Sequence, residues 1–334
     1  MSTEANPGQP AATADSGRQR AETIRAVPLR HPWRWVSALI VLAIAAEIIG
    51  TIVTSPHLKW DVVGRYLFQG LILRGVLLTI ELTAFAMVIG VALGIILAVM
   101  RLSTNPVVSS LSWLYIWFFR GTPVLVQIFF WYNLNSLFPG RIGLSIPFTS
   151  LGLSGDTNTL VPALVAVILG LGLNEAAYMA EIVRAGIISV EHGQTEAAQA
   201  MGMRRLLIMR RIILPQAMRV IIPPTGNETI SMLKTSSLAF IAAVPELFTR
   251  GDQIASATFN VIELLFVVSA WYLLMTSVLT FGQYYLERYF ARGSQRELPP
   301  TPLQRFRRLL FTFHTPAPTV GDVVTGLPAA PRSR

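Results

Sequence analysis

The chain has 334 residues, of which 52% are hydrophobic and only 13% charged, about half the charged share of an ordinary soluble domain. That balance excludes a water-soluble globular protein and points to a membrane-resident one. The formal net charge of +9 does not mark a nucleic-acid footprint, because the cations follow topology. Of the 27 Lys and Arg, 21 fall in segments assigned to one side of the membrane, the positive-inside pattern. Cysteine is absent, which rules out disulfides and thiolate metal sites.

In chain order, residues 1–33 lack periodicity and read as a disordered cytoplasmic tail. Residues 34–69 form an N-terminal transmembrane helix, the apolar run from Trp35 to Val53, followed by an outer loop. A second span covers about Gly75 to Met100. Its Ala86, Gly90, Gly94 and Ala98 recur every four residues, a small-residue stripe that lets another helix approach closely. Pro106 opens an interfacial stretch, and Arg120-Gly121-Thr122-Pro123 leads into a third span ending near Phe138. A polar outer loop spans about Pro139 to Asn158, and the fourth span runs from Leu160 to about Val183. After the loop 187–219, a fifth span reaches from near Val220 to about Val244 and a sixth from about Phe259 to Leu286. Residues 291–334 form a basic cytoplasmic tail. The expected fold class is therefore an all-α polytopic membrane protein with six transmembrane helices and both termini cytoplasmic.

The organising stretch is the central loop. It reads Glu196-Ala197-Ala198, three residues, Gly202, nine residues, Ile212, one residue, then Leu214-Pro215, with five arginines between Arg204 and Arg219. A short helix here presents a small, partly apolar face to another protein's groove. Glu196 is expected in its first turn, Gly202 loosens its end, and Pro215 limits further helix.

Ionisable groups inside spans are expensive and therefore candidates for function. Glu175 follows Asn174, and a carboxylate beside an amide suits either a substrate ammonium group or a bond to a neighbouring helix. Glu181 and Arg184, three apart, form either a gate ion pair or a plain stabilising one. Asn227, Glu228 and Ser231 share helical spacing, with Lys234 one turn on, and suit either a translocation path or polar contacts between helices. Arg120, Thr122, Pro123 and Gln127 mark a gate or a structural kink. No Gly-x-x-x-x-Gly-Lys-[Ser/Thr] loop is present, and His31, His57, His192 and His314 lack metal-ligand spacing, so the chain is not itself read as an enzyme.

The spacing of the central loop resembles the EAA loop of ABC importer permeases at each signature position. Tyr178, Gly193-Gln194, the Phe118–Gln127 string and Pro223-Pro224 resemble the polar amino-acid branch, the histidine/glutamine permease type. The resemblance covers about residues 70–290 and implies a five-helix core, to which the first helix is an addition. It implies that Glu196, Ala197, Ala198, Gly202, Leu214 and Pro215 couple to ABC ATPase subunits. It further implies a second permease subunit, the same or paralogous, an extracytoplasmic substrate-binding protein and a bacterial inner-membrane location. This chain would carry no cofactor, ATP being bound by the partner ATPase. Tyr178 joins Asn174, Glu175, Asn227, Glu228, Ser231 and Lys234 as substrate-path candidates. An ion-coupled secondary amino-acid transporter is the alternative reading, favoured by the carboxylates within spans.

Overall fold

The computed structural model describes residues 32–145 and 152–290. The expected tails at 1–33 and 291–334 lie outside the described residues, except Pro32 and Trp33, which open a helix and not a tail. Two units are distinguished, Met1–Gly50 with Pro300–Arg334, and Thr51–Pro299. In the first, the described element is helix α1 (Pro32–Val53), whose last three residues fall past the Gly50 boundary and whose apolar window has a mean hydropathy of 2.5.

The second unit begins with a short amphipathic helix, α2 (Trp60–Leu67), then α3 (Gly70–Arg101). At 1.5 Å per residue α3 is about 48 Å long, more than the ~30 Å of hydrocarbon a span must cross. Helix α4 (Pro106–Gly121) starts at Asn105, whose side chain accepts from the backbone N–H groups of Val107 and Val108. Helix α5 (Val124–Tyr132) is bent 98° from α4. The bend has a local cause. Thr122 precedes a proline and is held in extended conformation, which ends α4, and Pro123 then opens α5. The third span expected from Pro123 to Phe138 is therefore the second half of a broken pair, followed by a single turn, α6 (Leu134–Leu137).

The polar loop expected at 139–158 contains an antiparallel hairpin, β1 (Arg141–Ser145) with β2 (Gly152–Asp156), in the register Arg141 to Asp156. The turn α7 (Thr157–Leu160) leads into α8 (Ala163–Ile188). The short helices α9 (His192–Ala200) and α10 (Arg205–Ile208) follow, and a π-helical run, Met209–Ile213, joins α10 to α11 (Leu214–Thr235). After a 3-10 stretch, Ser236–Ala242, the chain turns at Ala243 with a left-handed φ of 53° into α12 (Leu247–Thr258). A second left-handed residue, Phe259, precedes α13 (Val261–Phe290).

Helices α3 and α8 meet along the predicted small-residue stripe. A Cβ on Gly94 would lie 2.5 Å from the Met179 Cβ and 3.0 Å from the Ala180 nitrogen, so only glycine permits this separation. Ala86, Ala98, Leu171, Ala176 and Ala180 are buried in the contact. Around it, α5 packs on Leu171 and Val167 through Ile128, and α11 on Met179 and Val183 through Ala217 and Ile221.

Among the described residues, four helices are long and apolar enough to cross a membrane: α1, α3, α8 and α13. The bent pair α4–α5 makes a fifth if counted as one span. The expected span near 220–244 does not reach that apolarity. It is divided between α11, which carries Pro223, Pro224, Asn227, Glu228 and Lys234, and the 3-10 stretch. Residues 247–258, expected as outer loop, form α12 instead.

Candidate functional site

The bend between α4 and α5 leaves the carbonyls of the last turn of α4 without intrahelical donors. Side chains supply the donors. Gln127 Nε2 stands 3.0 Å from the Phe119 carbonyl, 3.1 Å from the Thr122 carbonyl and 2.8 Å from Thr122 Oγ1, three acceptors that share its two hydrogens. Asn174 Nδ2, from α8, donates to the same Phe119 carbonyl at 2.8 Å. Tyr115 donates from α4 to the Leu173 carbonyl at 2.9 Å. The Arg120 guanidinium carbon stands 5.1 Å from the centre of the Tyr178 ring, within cation–π range. The kink is thus closed on itself by Gln127 and bolted to α8 by three polar or aromatic contacts.

Glu175 is one residue from this bolt and only 3% exposed. Its Oε1 is buried and, among the described residues, no donor reaches it. A buried acceptor without a donor is costly and calls for a partner. Glu228, half-buried on α11, lies within electrostatic range of both Glu175 and Arg120. The bend thus gathers Arg120, Gln127, Asn174 and Tyr178, with Glu175 next to Asn174 on α8 and Glu228 of α11 near enough to interact by charge. The set offers one guanidinium, two carboxylates and an aromatic face, the complement of a ligand carrying both signs of charge.

Other predicted residues stand apart from this cluster. Asn227 is exposed, and its Oδ1 accepts from Gln283 of α13 at 3.1 Å. Ser231 and Lys234 are exposed further along α11. Thr122 and Pro123 shape the bend, and the Thr122 hydroxyl returns a bond to the Phe118 carbonyl. Glu181 and Arg184 form the expected ion pair within α8, 2.7 Å at its closest, with both side chains half-buried.

Sequence reasoning missed a second polar knot. Glu246, fully buried, caps α12 by accepting from the Phe248 and Thr249 nitrogens, and also binds the hydroxyls of Thr79, Thr249 and Tyr272. The available signal was a lone carboxylate directly after Ala242-Ala243-Val244-Pro245 and three residues before a threonine.

The central loop takes a defined shape. Helix α9 starts at His192, so Glu196 lies in its second turn, not the first as expected, and gains little from the helix dipole. Gly202 adopts φ 77°, and the bonds from Gly202 N to Gln199 O and from Met203 N to Ala198 O close the helix. Ala198 is fully buried, while Glu196, Ala197, Ala200 and Met201 are exposed. Of the two alanines expected on one exposed face, only Ala197 is exposed.

Pro215 does not end a helix, contrary to expectation. It occupies the first turn of α11, where its missing N–H is tolerated. The π-helical run sits just before it, and Gln216 Nε2 donates to the Ile212 carbonyl at 3.0 Å, satisfying an acceptor beside the irregular turn. Leu214 and Pro215 are both exposed.

A helical bundle with a broken helix pair and a charged cluster at the break defines a membrane-embedded transport subunit. The chain belongs to the family of binding-protein-dependent transport system inner membrane components, which matches residues 90–292. The arginine transport system permease protein ArgU of Corynebacterium glutamicum is 49% identical over 299 residues, covering 89% of this chain and 90% of that protein. The histidine/lysine/arginine/ornithine transport system permease protein HisM of Salmonella typhimurium is 37% identical, covering 61% of this chain and 83% of its own. A solved amino acid ABC transporter with histidines superposes with a TM-score of 0.56 at 35% identity, over 66% of this chain and 94% of that chain. The inward-facing MetNI methionine ABC transporter, at 21% identity and a TM-score of 0.52, shares the fold.

Proposed function

We propose that this chain is the permease subunit of an ATP-driven importer for a cationic amino acid of the arginine type, seated in the cytoplasmic membrane of a bacterium. The observation that carries the reading is α9. It is a short exposed helix that opens the Glu196–Pro215 spacing and is closed by a left-handed glycine, and after the turn at residues 201–204 the chain is helical from Arg205 into α11. ATPase subunits, in this reading, hold the Ala197 and Met201 face and displace it when they close on ATP. The displacement passes through α10 and the π-helical run into α11, and so to Glu228. A second permease subunit completes the path, and an extracytoplasmic binding protein delivers the substrate.

The polar cluster supports this substrate class. Arg120 suits a substrate carboxylate, while Glu175 and Glu228 suit ammonium or guanidinium groups, with the Glu175 Oε1 as the acceptor awaiting a donor. The name of the ArgU relative agrees with such a cation. Both termini and α9 are placed on the cytoplasmic side, supported by the distribution of 21 of 27 Lys and Arg. The test is uptake of labelled arginine into vesicles holding the full complex. Uptake that requires ATP and the ATPase subunits supports the reading. Uptake driven by an ion gradient with the ATPases absent overturns it.

A further inference from the structure

Helix α11 is weakest where it carries Pro223 and Pro224. Two successive residues lack N–H donors, so two intrahelical bonds are missing and bending is cheap there. Thr225 and Thr229 add back-bonds from their hydroxyls to the Ile221 and Thr225 carbonyls, a pattern that bends helices further. Gln283 of α13 packs on this joint. A Cβ on Gly226 would lie 2.8 Å from the Gln283 Cγ, so the absence of a side chain at 226 is what admits Gln283.

The amide of Gln283 is oversubscribed. Its Nε2 lies 3.2 Å from the Pro223 carbonyl and 3.1 Å from Asn227 Oδ1, both on α11, and 2.7 Å from Glu287 Oε1 on its own helix. An amide nitrogen has two hydrogens, so three acceptors compete for two bonds. The carboxylate is the strongest of the three and the nearest. The grip on α11 is therefore always partial, and α11 can leave it while Gln283 keeps Glu287. Asn227, held at this point, is the immediate neighbour of Glu228.

We infer that Gln283 is a positioning residue for transport, a clamp that holds the proline joint of α11 and thereby the Glu228 face, with Glu287 setting how firmly it grips. The inference rests on the coupling proposed above. It predicts opposite effects from two neighbouring substitutions. Gln283→Met removes the clamp, and Glu287→Leu removes the competitor and hands both hydrogens to α11.

The experiment uses the complete complex in vesicles, with arginine as the probe, and measures ATP hydrolysis with and without binding protein alongside uptake. Gln283→Met raises hydrolysis without binding protein by about threefold to tenfold, the scale of one net hydrogen bond, and lowers the arginine moved per ATP. Glu287→Leu lowers that basal hydrolysis. Gly226→Ala, which pushes Gln283 off from the other side, reproduces Gln283→Met and replaces it should that variant fail to assemble. Shifts of basal hydrolysis in the same direction for the Gln283 or Gly226 variant and for Glu287→Leu, or no shift in either, overturn the clamp. A wild-type complex whose ATP hydrolysis drives no uptake overturns the importer reading itself, whereas a coupled wild type with unmoved variants sinks the clamp alone.

Discussion

Glu175 rests directly on Gly90: a methyl group at position 90 would come within 2.8 Å of the Glu175 Cβ. The glycine that lets α3 and α8 touch is thus also the floor beneath the buried carboxylate. Gly90→Ala forces the two helices apart and costs about 1–3 kcal/mol, as overpacking does in a filled core. Thermal unfolding in detergent reads the loss, and arginine uptake falls with it. A stable, fully active Gly90→Ala protein shows that the contact does not position Glu175.

The two carboxylates near Arg120 make a separate prediction. Glu175→Gln and Glu228→Gln keep the shape and remove one ionisable carboxyl each. Each raises the KM for arginine uptake about tenfold or more, the scale of one charge-assisted hydrogen bond, and leaves assembly with the ATPase subunits intact. Equal loss of uptake and of ATPase assembly assigns the pair to structure instead.

Gly202 separates a backbone requirement from a surface requirement. Its φ of 77° favours glycine, yet nothing lies within 4 Å of a Cβ placed there. Asparagine tolerates this conformation better than most residues, so Gly202→Asn retains most of the uptake. Gly202→Asp, of similar shape but charged, inserts and folds normally yet loses ATP-driven uptake because a negative charge enters the ATPase contact. Similar activity of the two variants removes Gly202 from that contact.

Glu246 is expected to bear on stability rather than on substrate. Glu246→Leu strips acceptors from the Phe248 and Thr249 nitrogens and from three hydroxyls, and costs about 2 kcal/mol or more. Thr79→Val, which removes a single partner, costs less. A lowered unfolding temperature with an unchanged KM in the surviving fraction is the expected signature.

What was legible in the sequence follows from how strongly each stretch announces itself. Helices α1, α3, α8 and α13 are long and apolar, and their positions follow from length against bilayer thickness alone. The stripe from Ala86 to Ala98 announced a close helix contact, because small residues four apart have few other uses in a span, but not that α8 would make it. Thr122-Pro123 announced the bend, since a residue before proline avoids helix. By contrast α12 is short and polar, and its cap is a glutamate whose role depends on Thr79 and Tyr272, far away in the chain. The convergence of Glu175 with Arg120 and Glu228 was equally hidden, because three helices must pack before those charges meet. Pro215 misled for a simpler reason: one residue type both ends helices and begins them.

The measurement closest to the central claim uses the absence of native cysteine. A single Ala197→Cys substitution places a thiol on the exposed face of α9. A membrane-impermeant maleimide is expected to label it in inside-out vesicles, with protection once the ATPase subunits bind. Labelling from the external face of intact cells, or labelling that bound ATPase leaves unchanged, contradicts the account.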